Sequence, residues 1–98
     1  MVIDIGSHIG LYTLMAAKMN RQVLAVEPFE PNNLRVHKAA HLENIQNKIT
    51  LIQNAISNKR NEIKFLQKSN DNIGGQTLLH ENNNNNNTNY SSDYLVEV

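Results

Sequence analysis

Val2-Ile3-Asp4-Ile5 runs directly into Gly6-Ser7-His8-Ile9-Gly10, and a helix-forming stretch follows at once. Few folds accept that order. A short β-branched run ending on a glycine reads as a buried parallel strand opening into a tight turn. The helix that follows brings unsatisfied backbone N–H groups to the turn, which suits an anionic or nucleoside-type ligand.

The spacing of the glycines narrows the ligand. A dinucleotide turn is Gly-x-Gly-x-x-Gly, with the second glycine letting a pyrophosphate approach the main chain. Here His8 occupies that second position and the next glycine is Gly10, giving Gly-x-x-x-Gly. S-adenosylmethionine has no pyrophosphate, and its amino-acid end needs close backbone approach at one glycine and a polar partner such as Asp4. The pattern therefore favours that cofactor over NAD. Each residue also has a plainer reading: the glycines as a tight turn with close helix packing, Asp4 as a cap on the turn, and His8 as an exposed loop residue.

A second signal lies downstream. Leu11, Leu14, Met15 and Lys18 recur at helical spacing, Ala16 and Ala17 favour helix, and Asn20-Arg21 ends it. Gln22 to Val26 is again strand-like, so a right-handed crossover should lay this strand parallel beside the first. Glu27 closes it, 21 positions after Gly6, near the ~20-residue offset at which an acidic side chain meets ribose hydroxyls in nucleoside-binding α/β folds. A carboxylate can accept from both hydroxyls. Its alternative task is to cap the next helix.

Pro31 suits a first helical turn, and Asn32 to about Asn44 reads as a second helix. Two stripes compete on it: Leu34, Leu42 and Ile45 against Val36, Ala39 and Ala40. Ile49 to Gln53 is a third strand candidate, leading through Asn54-Ala55-Ile56-Ser57 into the polar turn 58–61. Glu62 to Gln67 is extended and expected to be antiparallel, 69–75 is a loop punctuated by Gly74-Gly75, and 76–79 is too short to assign. Asn82 to Asn87 is an unbroken run of six asparagines, unable to supply apolar area against the entropy of ordering. The expected organisation is a cofactor-binding half at 1–81, a disordered asparagine-rich insert at 82–92, and the start of a further strand at 93–98.

At this point the residues resemble a known family. Val2 to Leu14, then Val26-Glu27-Pro28-Phe29-Glu30-Pro31-Asn32, then Asn54-Ala55-Ile56-Ser57 are similar to FkbM-type methyltransferases, in order and spacing, over residues 2 to about 79. The resemblance implies a class I, Rossmann-like methyltransferase fold of three layers, with parallel strands and crossover helices, cut short before its fourth core strand. It implies methyl transfer from S-adenosylmethionine to a hydroxyl of a small molecule or glycan. Asp4, Gly6 and Gly10 would surround the methionine part, Glu27 the ribose, and Asn54 with Ala55 the edge of the adenine pocket; Ser7 and His8 of the same turn are further cofactor-binding candidates. Gly74-Gly75 would fall near the substrate side. The family's Lys-Ile-Asp-Val-Glu-Gly-like segment is missing, so the chain is expected to be a fragment whose first strand leaves Val2, Ile3 and Ile5 at an exposed apolar edge.

Several function classes lose support. Nine basic residues balance nine acidic ones, so no basic footprint points to nucleic acid. The absence of cysteine removes disulfides, thiolate zinc sites and cysteine nucleophiles. No apolar run approaches the ~20 residues a membrane span needs, and no basic leader reads as a signal peptide, so the default expectation is a cytoplasmic chain without a membrane segment. His37 and His41 stand four apart on the second helix without a third ligand, which reads as a solvated face, and no metal is expected. No residue reads as a catalytic base; His80 is the weak candidate. The triplets at 86–88 and 89–91 fit the glycosylation pattern, which an asparagine-rich stretch produces by chance. Two alternatives stay open: a nicotinamide-binding oxidoreductase fragment, and a non-catalytic α/β binding module. Oligomeric state and methyl acceptor are left undetermined.

Overall fold

The computed structural model describes residues 1–58 in full and the backbone of the strands at 63–67, 77–78 and 95–97. The first part alternates strand and helix: β1 (Val2–Ile5), α1 (Leu11–Lys18), β2 (Val23–Val26), α2 (Glu30–Leu42), a 3-10 turn at Gln46–Lys48, and β3 (Ile49–Ile52). The strands form one parallel sheet in the order β1-β2-β3. This is an α/β fold compatible with the N-terminal part of a Rossmann-like domain. The second part holds β4 (Ile63–Gln67), β5 (Thr77–Leu78) and β6 (Leu95–Glu97), with β4 antiparallel to both partners. The expected antiparallel pairing after residue 62 is found. The asparagine run, Gly74-Gly75, His80 and the two glycosylation triplets lie outside the described residues.

Register decides which side chains share a face. Val2, Val23 and Ile49 form one row, and Asp4, Ala25 and Leu51 the next on the same face. The helices cover this side: Thr13 of α1 reaches Asp4, α1 packs on β1 and β2, and α2 packs on β3 and on α1. Rows Ile3-Leu24-Thr50 and Ile5-Val26-Ile52 occupy the opposite face, where Ile3 is 57% and Ile5 62% exposed. Among the described residues, β1 is also the sheet's outer strand. Of the apolar edge foreseen for β1, Ile3 and Ile5 are exposed, whereas Val2 is half-buried on the helix-covered face and Val26, in the row of Ile5, is buried.

The buried helix faces correct the sequence reading. On α1 the helical spacing of Leu11, Leu14 and Met15 does not mark the core: Leu11 and Met15 are exposed, while Thr13 and Ala17 are buried. Small residues face inward because α1 starts hard against α2. A Cβ on Gly10 would stand 2.6 Å from Cγ2 of Val36. On α2 the Val36 stripe wins over the Leu34 stripe, since Val36 and Ala40 are buried and Leu34 and Leu42 are exposed. The same face carries Asn32 and Asn33, both buried, which a pattern of apolar residues does not announce. Phe29, just ahead of the helix, completes the core with Val23 and Ala25.

Both helices end as their asparagines suggest. Asn20 and Asn44 adopt left-handed φ values of 61° and 54°. Asn20 N–H donates to Ala17 O and Arg21 N–H to Ala16 O; Asn44 N–H donates to His41 O and Ile45 N–H to Ala40 O. Each pair satisfies carbonyls that the helix end would leave open, in a Schellman arrangement. Lys18 and Glu43 pair at 2.8 Å across the two helix ends. That surface ion pair contributes at most about 1 kcal/mol.

Candidate functional site

The glycine turn sits at the carboxyl end of β1, beside the carboxyl end of β2, where open α/β sheets bind ligands. Three of its five residues take positive φ: Gly6 at 73°, His8 at 52° and Gly10 at 84°. The turn is pinned to β2, with Gly6 N–H and Ser7 N–H both donating to Val26 O, and Gly10 N–H closing back on Ser7 O. A left-handed φ is unfavourable for a histidine, so something must hold it. The holder is Glu27: His8 N–H donates to its Oε2 at 2.9 Å.

Glu27 is buried, at 5% exposure, and every polar group it has is used. Its N–H donates to Ile52 O of β3, and its carbonyl accepts from Asn33 Nδ2 at 2.7 Å. Its Oε1 accepts from Phe29 N–H at 3.0 Å and from Asn32 Nδ2 at 3.4 Å. One residue thereby ties the β1 turn, β2, β3 and the start of α2 together, the carboxylate holding the turn and the helix start and the main chain holding β3. A buried carboxylate needs such donors to replace the hydrogen bonds it would make to water.

The two glycines differ. Gly10 has a packing reason of its own, because Val36 fills the space where a side chain would stand. Gly6 does not: a Cβ there would meet no atom of the described residues within 4 Å, so among them open space faces its backbone. Asp4 accepts from Thr13 Oγ1–H at 2.6 Å, an anchor for α1. Ser7 is buried and its Oγ has no partner among the described residues, nor has His8 Nε2. Asn54 and Ala55 are half-buried and follow β3 two and three positions after Ile52, whose carbonyl holds Glu27. The structure therefore brings Gly6, Ser7, His8 and Glu27 directly together and sets Asn54 and Ala55 on the chain leaving the same strand end. Asp4 and Gly10 have structural partners of their own.

The group fits a nucleoside-type cofactor on three counts. There is free space over Gly6, an unpaired buried hydroxyl on Ser7, and an unused acceptor position on Glu27 Oε2, which takes one hydrogen bond where a carboxylate oxygen can take two. What the sequence did not reveal was the buried asparagine pair; an asparagine five and another six positions after an acidic strand end was the available signal.

His37 and His41 stand together on the exposed side of α2. Their rings lie 4.2 Å apart by centroid, and His41 Nδ1–H donates to His37 O at 2.9 Å. The carbonyl can only accept, so Nδ1 is the donor in this contact. Among the described residues no three His, Asp or Glu side chains group to hold a metal ion. No helix among them is long and apolar enough to cross a membrane. Comparison with protein-family models, curated proteins and solved structures finds no match to the chain.

Proposed function

We propose that this chain carries the S-adenosylmethionine cradle of a methyltransferase acting on a hydroxyl of a small molecule or glycan. The observation that carries the reading is the Glu27–His8 bond. It couples the acid at the end of β2 to the glycine turn at the end of β1, the two places from which a parallel α/β sheet holds a nucleoside. Gly6 would give the ligand backbone approach, Ser7 Oγ a polar contact, Glu27 Oε2 an acceptor for a ribose hydroxyl, and Asn54 with Ala55 one side of the base. His8 keeps a side chain at the position a pyrophosphate needs bare, which disfavours NAD.

The cofactor, when bound, supplies an electrophilic methyl group on sulfur. The described residues hold and orient it. Orientation is the larger share of such catalysis, because an in-line displacement needs the reactants aligned more than it needs a proton moved.

A second reading is favoured by the donors that already hold Glu27. A carboxylate with three donors and 5% exposure could serve the fold alone, in a binding module without a cofactor. Calorimetric titration of the chain with S-adenosylhomocysteine and with NAD separates the readings. Binding of S-adenosylhomocysteine alone, abolished by Gly6→Val, supports the cradle; binding of NAD alone, or of neither, overturns it.

A further inference from the structure

We infer that His37 and His41 form a two-histidine site on α2 that takes a divalent transition-metal ion, copper(II) ahead of zinc(II). The inference is independent of what the glycine turn binds. The expectation of no metal rests on the missing third ligand, yet a tetragonal ion that keeps water at its other positions needs only two protein nitrogens. Residues four apart lie one above the other on a helix. Both are exposed, so an ion reaches them without opening the fold.

Two observations go beyond the spacing. The ring centroids stand 4.2 Å apart, with the planes tilted by 43°. Two imidazoles bound at right angles to one ion, with metal–nitrogen bonds of about 2.0–2.1 Å, hold their ring centres roughly 4.5 Å apart. The rings therefore already stand at chelating distance. Exposed side chains rotate freely, so a nitrogen of each reaches the ion with the main chain unmoved. The second observation is the place of a proton. His41 Nδ1–H donates to His37 O at 2.9 Å, which leaves Nε2 of the neutral ring with the lone pair that a metal takes. A ring N–H held by a main-chain carbonyl is a common way of orienting a metal-ligating histidine. Here that carbonyl belongs to the residue bearing the other ring.

Imidazole nitrogen suits copper and zinc, whereas magnesium and calcium prefer oxygen. Among divalent first-row ions copper(II) binds nitrogen sites most tightly, and its tetragonal geometry matches two ligands at right angles; zinc(II) prefers four in a tetrahedron. Both ligands sit on α2, and an ion bridging them clips one helical turn. That turn follows Val36, which is fully buried and fills the space beside Gly10. Bound metal therefore stabilises the helix against which the glycine turn packs.

The test titrates the full chain with copper(II) at slightly alkaline pH, followed by calorimetry and electron paramagnetic resonance. One ion per chain binds, and the spectrum shows coupling to two imidazole nitrogens. His37→Gln and His41→Gln each weaken binding by about tenfold or more, because the second ligand no longer binds intramolecularly. His80→Gln stays within about twofold, and zinc(II) binds about tenfold or more weakly than copper(II). A shifted pair, His41→Gln with Leu42→His, keeps the number of histidines but turns the second ring about 100° round the helix. Leu42 is exposed, so the fold accepts the change, and copper affinity falls as in the single variants. At copper about 100 times its dissociation constant, the folding equilibrium constant of the unmodified chain in urea denaturation rises about 100-fold, and that of the shifted pair at most about tenfold. Unchanged affinity in either single variant, full affinity in the shifted pair, or zinc bound as tightly as copper overturns the inference.

Discussion

Replacing Gly10 by alanine should cost far more stability than the same change at Gly6, although both glycines belong to one turn and both have left-handed φ. The backbone term is shared: alanine at such φ costs roughly 1–2 kcal/mol at either place. The packing term is not. At Gly10 the new methyl would lie 2.6 Å from Cγ2 and 3.1 Å from Cγ1 of Val36, against a comfortable carbon separation of about 3.5–4.0 Å. Val36 is fully buried and cannot swing aside without disturbing the α1–α2 contact. Overpacking of that kind costs roughly 1–3 kcal/mol, giving about 2–5 kcal/mol for Gly10→Ala. At Gly6 the methyl meets no atom of the described residues within 4 Å, and the cost stops at about 1–2 kcal/mol.

Urea denaturation followed by far-ultraviolet circular dichroism measures both. Val36→Ala supplies the control, because removing the two Cγ atoms removes the collision. The double-mutant cycle Gly10→Ala with Val36→Ala should show a favourable coupling of about 1–3 kcal/mol. A difference between the two glycine variants below about 0.5 kcal/mol, with no coupling to Val36, would refute the assignment of Gly10 to packing and of Gly6 to the open side of the turn.

Two further outcomes follow from named contacts. Thr13→Val keeps the shape of a buried residue but removes its 2.6 Å bond to the Asp4 carboxylate; a loss of about 1–3 kcal/mol is expected in the same denaturation assay, and a loss below about 0.3 kcal/mol would show that water replaces the hydroxyl in full. The exposed side chains of Ile3, Ile5 and Ile52, beside the outer edge that β1 forms among the described residues, should make the chain self-associate as its concentration rises, and Ile5→Lys should shift sedimentation toward the monomer. Identical sedimentation of the two would place the association elsewhere.

The parallel sheet was legible because strand and helix signals alternate without conflict: three β-branched runs separated by stretches that end on Asn20 and Asn44. Those asparagines mark helix ends for a physical reason, their tolerance of left-handed φ. The inward faces were not legible. Periodicity counts apolar residues, whereas this core buries Thr13, Glu27, Asn32 and Asn33, which bond to Asp4 or to one another, and leaves Leu11, Met15, Leu34 and Leu42 outside. The site was half legible. Gly6 and Glu27 were found from their separation along the chain, but nothing in a linear reading showed that the acid grips the backbone of His8. The plainer reading of Glu27, as an acid serving the start of the next helix, is also realised through Phe29 and Asn32.

These two tasks of Glu27 compete only if a ligand must displace the donors already present. Losing the His8 bond would release a histidine from a left-handed φ that it adopts at a cost, and the turn that shapes the cradle would loosen as the ligand arrived. A ligand hydroxyl taking the unused position on Oε2 avoids that: it adds a fourth donor and leaves the other three in place. Binding should then tighten the turn. At a ligand concentration about 100 times its dissociation constant the folded state gains about 2.7 kcal/mol, and exchange of the His8 and Phe29 amides by global unfolding should slow by roughly 100-fold. S-adenosylhomocysteine titration followed by hydrogen exchange reads this directly. Exchange at His8 that quickens on binding, while amides in β2 slow, would mean that the ligand replaces the latch, and Glu27 could not hold turn and ligand together.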